Sequence, residues 1–504
     1  MRTSLLVLTL AAGPAAAFCP PAGDVPPLTE IAVTEGSGYL DGANLAAIVA
    51  QAVGQCAADV AGLSAVAERI NAAYDEVGAR LAFARPVELD GTRGRVELVE
   101  ITYGEIIVAP TKDTDPAYVL RRAQTQAGDL ADLEALQSSL AVLPETDDIR
   151  VVAELQPGAE EGTSDLILTV EEPERWQRAV TLSNSGAPDV GEWRLGLAAT
   201  RSSLTGLRDP LSFGASVGEG ALALDAGYSR PVGNEGARIG AALSLARNRF
   251  VNAAPPVDDL ENRVATLRLD YSWPLNAGDE GNDILNAGLT LTRERSALLG
   301  VDITEQDIAE FTLGSSHVRR DPGSSITAIS QRIGLSRLQD GLAADATILR
   351  WSGTALHARL LSEDWTLTGQ FDWQLSNTAV AAAQVFSATG PAAVRGYPTS
   401  EGGSDAGYVV RVELGRDFGD GEGADFGGFL FADAGRGWDR VAGGGSVAKD
   451  PIYSAGIGAT ASIPLGGEGV RLNLRVTAAV PLANTATFRD RGEVDVLFDA
   501  SLSF

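Results

Sequence analysis

The chain has 504 residues, with 67 acidic against 39 basic side chains and a net charge of −28. That balance argues against nucleic-acid binding, which needs clustered Lys and Arg for phosphate contacts. The length allows two or three domains, and 57 glycines suit many short strands joined by turns.

Met1 and Arg2 precede a short apolar run, Leu5 to Ala12, that leads into Ala15-Ala16-Ala17. A charged start, a short apolar stretch and small residues at a cleavage point predict a secretory signal over residues 1–17. The run is well short of the roughly 18–20 residues that a membrane helix needs. A tail over 18–27 follows. Cys19 and Cys56 are the only cysteines. In an exported chain they suit one disulfide tying the tail to the first helix pair, with two separate thiols as the alternative. His317 and His357, with no cysteine nearby, make no metal site.

A strand is expected around Ile31 and Val33. Helical spacing follows at Leu45, Ile48, Val49, Ala52 and Val53, then at Val66, Ile70 and Ala73, with Gly78 as a stop. Strands over Arg80–Leu89 and Arg93–Ile101 flank Asp90-Gly91, a hairpin signal. A second copy begins with a strand at Ile106–Val108. Leu133, Leu136, Leu140 and Leu143 then form one helical face, and strands follow over Arg150–Leu155 and Leu166–Val170. The α+β unit therefore repeats at about 75 residues, over 28–102 and 103–174, and each sheet keeps edges that could accept an added strand.

From 175 to 504 the helical period disappears. Leu267, Leu269, Tyr271 and Trp273 interleave with Arg268, Asp270 and Ser272, and Trp365, Leu367, Phe371 and Trp373 with Thr366, Thr368, Asp372 and Gln374. Val494, Val496, Phe498, Leu502 and Phe504 share one apolar face. In a soluble sandwich that face would be core; in a membrane barrel it faces lipid and the polar face lines an aqueous lumen. Arg268, Asp270, Arg411, Glu413, Arg471 and Arg475 inside strands favour the barrel, because a dry core rejects unpaired charge. At about 20 residues per strand and loop, an antiparallel transmembrane β-barrel of roughly 16 strands is expected.

Arg395 lies between Gly390-Pro391 and Gly396-Tyr397-Pro398, where an exposed turn arginine is the plain reading. Asp433 inside a later strand offers it a partner for a bidentate bond. Asp417, Asp420, Glu422 and Asp425 miss the spacing of a calcium loop and read as a solvated turn. No triad, phosphate loop or metal cluster is evident, so no enzyme activity and no cofactor are expected.

Val394-Arg395-Gly396-Tyr397 and Phe431-Ala432-Asp433-Ala434-Gly435 resemble the loop and strand motifs of outer-membrane transporters that carry polypeptide-transport-associated (POTRA) domains. Leu155-Gln156-Pro157-Gly158, Gly162-Thr163-Ser164-Asp165-Leu166 and Ser183-Asn184-Ser185-Gly186 are similar to two-partner secretion transporters of the hemolysin secretion/activation family. The resemblance implies a monomer in the outer membrane of a Gram-negative bacterium, embedded in its lipid, with the POTRA domains in the periplasm. It implies export of an unfolded exoprotein by type V secretion. It also implies that Arg395 of Val394–Tyr397 pairs with Asp433 inside the pore, with Phe431 and Gly435 beside it. Phe504 is expected to signal to the cell's barrel-assembly machinery. Family members begin with a pore-plugging helix, and the ten or so residues before the first strand are too few for one; gating is expected to fall to the Arg395 loop. A barrel-assembly insertase and a passive porin are the alternatives.

Overall fold

A computed structural model describes residues 19, 24–34, 37–253, 255–278, 280–341, 345–399, 403–421, 423–441, 444–466, 469–483 and 494–504. The expected signal over 1–17, and most of the tail before Asp24, lie outside the described residues. The chain divides into two compact units. The first takes the residues up to Pro110 with Ala123–Leu140 and Val151–Val170; the second takes Thr111–Arg122, Ala141–Arg150 and Glu171–Phe504.

In the first unit, β1 (Glu30–Val33), α1 (Gly42–Ala52), α2 (Val60–Glu76), β2 (Ala82–Asp90) and β3 (Arg93–Glu100) follow in order, and the strands make a sheet β1-β3-β2. Asp41 and Asp59 cap the two helices by accepting from the Ala43 and Gly62 N–H groups. Their apolar faces bury Ile48, Val66, Ile70 and Tyr74 against Leu28 and Val96. Gly78, at φ +76°, stands just past the end of α2 in a conformation that suits glycine. Cys19 and Cys56 form a disulfide, with Cα atoms 5.1 Å apart, tying the tail to the connection between α1 and α2.

β4 (Thr102–Val108), α3 (Pro116–Ala123), α4 (Leu133–Ala141), α5 (Leu143–Thr146), β5 (Arg150–Pro157) and β6 (Thr163–Glu171) come next, with sheet order β4-β6-β5. The single helical face expected from Leu133 to Leu143 is broken. α4 ends at Ala141, and Pro144 opens a separate turn, since proline cannot supply the N–H that would continue the helix.

Sixteen antiparallel strands close the barrel of the second unit, from Trp176–Ser183 to Asp495–Ser503, which pair with each other across the seam; a short extra strand, Gly445–Ala448, adds onto Ala424–Val441. No described helix is long and apolar enough to cross a membrane; crossing falls to the strands. Leu267, Leu269, Tyr271 and Trp273 are each about 40% exposed on the outer face, while Arg268 and Asp270 line a cavity inside. That alternation is what lipid outside and water inside select. The near rim is the one where Trp176 begins; the segment 377–405 leaves and re-enters at the opposite, far rim.

Candidate functional site

The far-rim segment 377–405, as far as it is described, folds into the lumen, and its tip brings the two motifs together. Arg395 Nε donates to Asp433 Oδ2 at 2.7 Å and Nη2 to Oδ1 at 2.8 Å; the Arg395 backbone N–H also reaches Oδ2, at 3.2 Å. The Asp433 side chain is fully buried and that of Arg395 is 7% exposed. The Arg395 guanidinium lies 3.5 Å from the centre of the Phe431 ring, a cation–π stack on the same strand as its partner.

The pair extends into a network that the motifs do not spell out. Arg395 Nη1 donates to Glu413 at 3.1 Å, and Arg475 donates to the same Glu413 oxygen at 2.7 Å. Arg475 in turn stacks on Phe429 at 3.9 Å. The sequence marks Glu413 and Arg475 only as charges inside strands. Their meeting depends on the registers of Ala406–Gly421, Ala424–Val441, Ile452–Pro464 and Arg471–Pro481.

The neighbouring motif residues make room and fix the angle. Val394 is fully buried among Ala388, Tyr397, Val409 and Ile452. Gly435 faces it so closely that a Cβ there would come 2.8 Å from Val394 Cγ2. Gly396 sits at φ +89° beside Pro481 and Ala479, a turn that a side chain would strain. The Tyr397 hydroxyl is 3.0 Å from the Tyr453 carbonyl and 3.1 Å from that of Ala483, and accepts from the Ala483 N–H at 3.4 Å.

A second attachment holds the start of the inward segment to other strands. The Gln384 carbonyl accepts from Gln374 Nε2 at 2.8 Å and Arg350 Nη1 at 3.3 Å, and Gln384 Nε2 donates to the Ser336 hydroxyl at 2.8 Å. Arg350 is itself held by both Glu310 oxygens, at 2.7 and 3.0 Å. The segment is thus fixed at two places on the inner wall. Lumen cavities remain, one of about 680 Å³ beside Glu413, Arg475 and Asp499 and one of about 640 Å³ beside Arg268 and Arg332.

At the near rim the second unit carries another ionic cluster. The Asp147 side chain is fully buried and accepts from the Tyr118 hydroxyl at 2.6 Å, Arg122 at 3.0 Å and Arg238 at 3.1 Å. Burial and the Asp147 charge push the Tyr118 pKa well up, so its proton stays in place as a donor. Arg208, also buried, binds Asp148 and the Asp147 carbonyl. Glu172 collects the N–H groups of Lys112 and Asp113 and the Thr114 hydroxyl. Phe504 is 45% exposed at this rim, its backbone paired with Arg178. Among the described residues no group of three His, Cys, Asp or Glu could hold a metal ion.

A closed sixteen-strand barrel that follows α+β repeats in the chain is the architecture of outer-membrane transporters with POTRA domains. The chain belongs to the family described as haemolysin secretion/activation protein ShlB/FhaC/HecB, which matches residues 162–461; it is a transporter of the two-partner secretion class. No curated protein matches it. Its fold is similar to CdiB from Escherichia coli (TM-score 0.72, 18% identity, covering 97% of this chain and 95% of that one). It is also similar to CdiB from Acinetobacter baumannii (TM-score 0.65, 15% identity, 97% and 91%). BamA from Haemophilus ducreyi lacking POTRA domains 1–3 shares it too (TM-score 0.58, 14% identity, 95% and 100%).

Proposed function

We propose that the protein captures an unfolded secreted partner on its N-terminal sheets in the periplasm and passes it through the barrel lumen to the cell surface. The observation that carries this reading is the inward segment tied to Asp433 by Arg395, since a loop held in a lumen controls what moves through it. β1 and β2 are the edges of the first sheet, and β4 and β5 those of the second. An extended chain can add to such an edge through main-chain hydrogen bonds without a sequence code. Val152, 42% exposed on β5, offers apolar contact there. No residue constellation for bond chemistry is needed, and folding outside the cell gives the movement its direction.

Co-expression with a candidate secreted partner tests this. Export of the partner should fall sharply on Arg395→Ala and on removal of both N-terminal repeats. Export that survives both changes sinks the proposal. Loss of many outer-membrane proteins, rather than of one secreted partner, when the protein is depleted would make it an insertase instead.

A further inference from the structure

Four adjacent barrel strands, Ala346–Leu360, Trp365–Ser376, Ala406–Gly421 and Ala424–Val441, carry five contiguous aromatic rings on their outward face. Trp351 and Trp373 have centroids 5.7 Å apart, Trp373 and Phe371 5.4 Å, Phe371 and Tyr408 6.4 Å, and Tyr408 and Trp438 5.7 Å. The registers put them on the side away from the lumen: Trp373 opposes Tyr408, and Tyr408 opposes Arg436, while the intervening Gln374, Gly407 and Gly435 point inward. Trp351 and Phe371 are 43% and 41% exposed. With Ile329 and Leu375 the rings border a shallow apolar groove.

Two arginines flank Trp438 on the Ala424–Val441 strand, where this ladder ends near the far rim. Arg436 shares the outward face with Trp438, its guanidinium 5.8 Å from that ring and its Nε donating to the Lys449 carbonyl at 3.0 Å. Arg440 follows four positions on, on the same face, and its Nε is buried with no hydrogen-bond partner. Neither has a side-chain carboxylate partner among the described residues. Three arginines of neighbouring strands on the lumen face do: Arg411 has Asp372, Arg471 has Asp425 and Arg475 has Glu413. An arginine on the lipid face of a barrel is costly at the bilayer midplane and costs little at the interface. Two of them beside stacked rings at one rim therefore fit a headgroup anion, and the guanidinium fork matches a phosphate.

We propose that this face is a binding site for a phosphate-bearing lipid of the outer leaflet. The rings cross the four strands at one level near the far rim and border the upper part of its acyl chains, and its phosphate sits on Arg436 and Arg440. The assignment rests on the outer-membrane reading, with the far rim outside.

The test reconstitutes the full chain, with Trp176, Trp193, Trp273 and Trp365 replaced by Phe, so that only the ladder tryptophans emit. Vesicles of phosphatidylcholine receive either brominated phosphatidic acid, whose phosphate is unshielded, or brominated phosphatidylcholine, and fluorescence quenching is read against lipid fraction. Half-quenching is expected at a fraction of phosphatidic acid about fivefold lower than of phosphatidylcholine, the effect of roughly one arginine at a membrane surface. R436Q/R440Q should abolish the preference while leaving quenching by brominated phosphatidylcholine intact, which reports a folded, inserted barrel. Equal quenching by both lipids in the parent protein overturns the proposal, as does a preference that survives R436Q/R440Q. A preference removed by inorganic phosphate in the buffer assigns the arginines to a free ion and overturns it as well. The vesicles contain no exported partner, so the outcome is independent of whether the protein secretes one.

Discussion

Arg395 and Asp433, 38 residues apart in sequence, meet inside the barrel through two parallel hydrogen bonds of 2.7 and 2.8 Å, with the aspartate fully buried. Breaking such a pair from one side leaves an uncompensated charge and costs about 3–5 kcal/mol. Arg395→Ala should therefore lower the thermal midpoint in detergent more than the double variant Arg395→Ala/Asp433→Ala does. Arg395→Lys should not restore the parent value, because a single ammonium cannot make both bonds. A double variant less stable than Arg395→Ala would contradict this account of the pair.

Gly435 is required by packing. A Cβ 2.8 Å from Val394 Cγ2 must displace the loop, so Gly435→Val should cost about 1–3 kcal/mol by overpacking. Gly435→Ala combined with Val394→Ala should recover most of the loss seen for Gly435→Ala alone. Chemical denaturation of these variants and of Val394→Ala alone checks this, and simple additivity of the two single changes counts against it.

The two attachments of the inward segment should be separable in planar-bilayer conductance. Gln384→Ala removes the bond to Ser336 but leaves no buried charge, whereas Arg350→Ala strands Glu310, whose side chain is only 9% exposed. Both should raise channel conductance, and Arg350→Ala should also destabilise the barrel. Parent-like conductance in both variants would mean that the Arg395 attachment alone holds the segment.

Glu172 sets an acid limit on the 111–114 segment. Burial works to raise its pKa, but the Thr114 hydroxyl and the N–H groups of Lys112 and Asp113 outweigh it, and the net shift is downward. A folded pKa below the unfolded one means that protons bind better to the opened form. The stabilisation is therefore complete above the ordinary glutamate value of 4.5 and is lost as pH falls through the depressed one. Hydrogen exchange at the Lys112 and Asp113 amides should lose protection in that acid range, and Glu172→Gln should remove the pH dependence.

The seam separates transport through the lumen from insertion into the membrane. Leu182 and Ala500 oppose each other where the first and last strands pair. A disulfide between cysteines at those two positions should leave export of the partner intact. Export blocked by the bond and restored by reductant would favour a route through the seam.

Much of this is legible in the amino-acid sequence. Alternation such as Leu267, Leu269, Tyr271 and Trp273 against Arg268 and Asp270 carries the barrel, because lipid and water impose opposite chemistry on successive residues. Val394–Tyr397 and Phe431–Gly435 are short, compositionally distinctive runs. The Glu310–Arg350–Gln384 attachment is not legible in the same way. It joins residues on separate strands and a neutral loop side chain, and only strand register brings them together. α3 escaped because Pro116–Ala123 is too short to establish a period. The Asp147 cluster depends on Arg208 and Arg238, which lie far along the chain in turns and strand ends.

Site-specific photocrosslinking of a partner arrested during export tests the central claim most directly. Asn473 borders the lumen cavity, while Val476 on the same strand is 42% exposed on the outer face. With a photoreactive residue at each position in turn, the account predicts partner crosslinks from position 473 and none from 476. Crosslinks from 476 alone, or from the seam strands without 473, would contradict passage through the lumen.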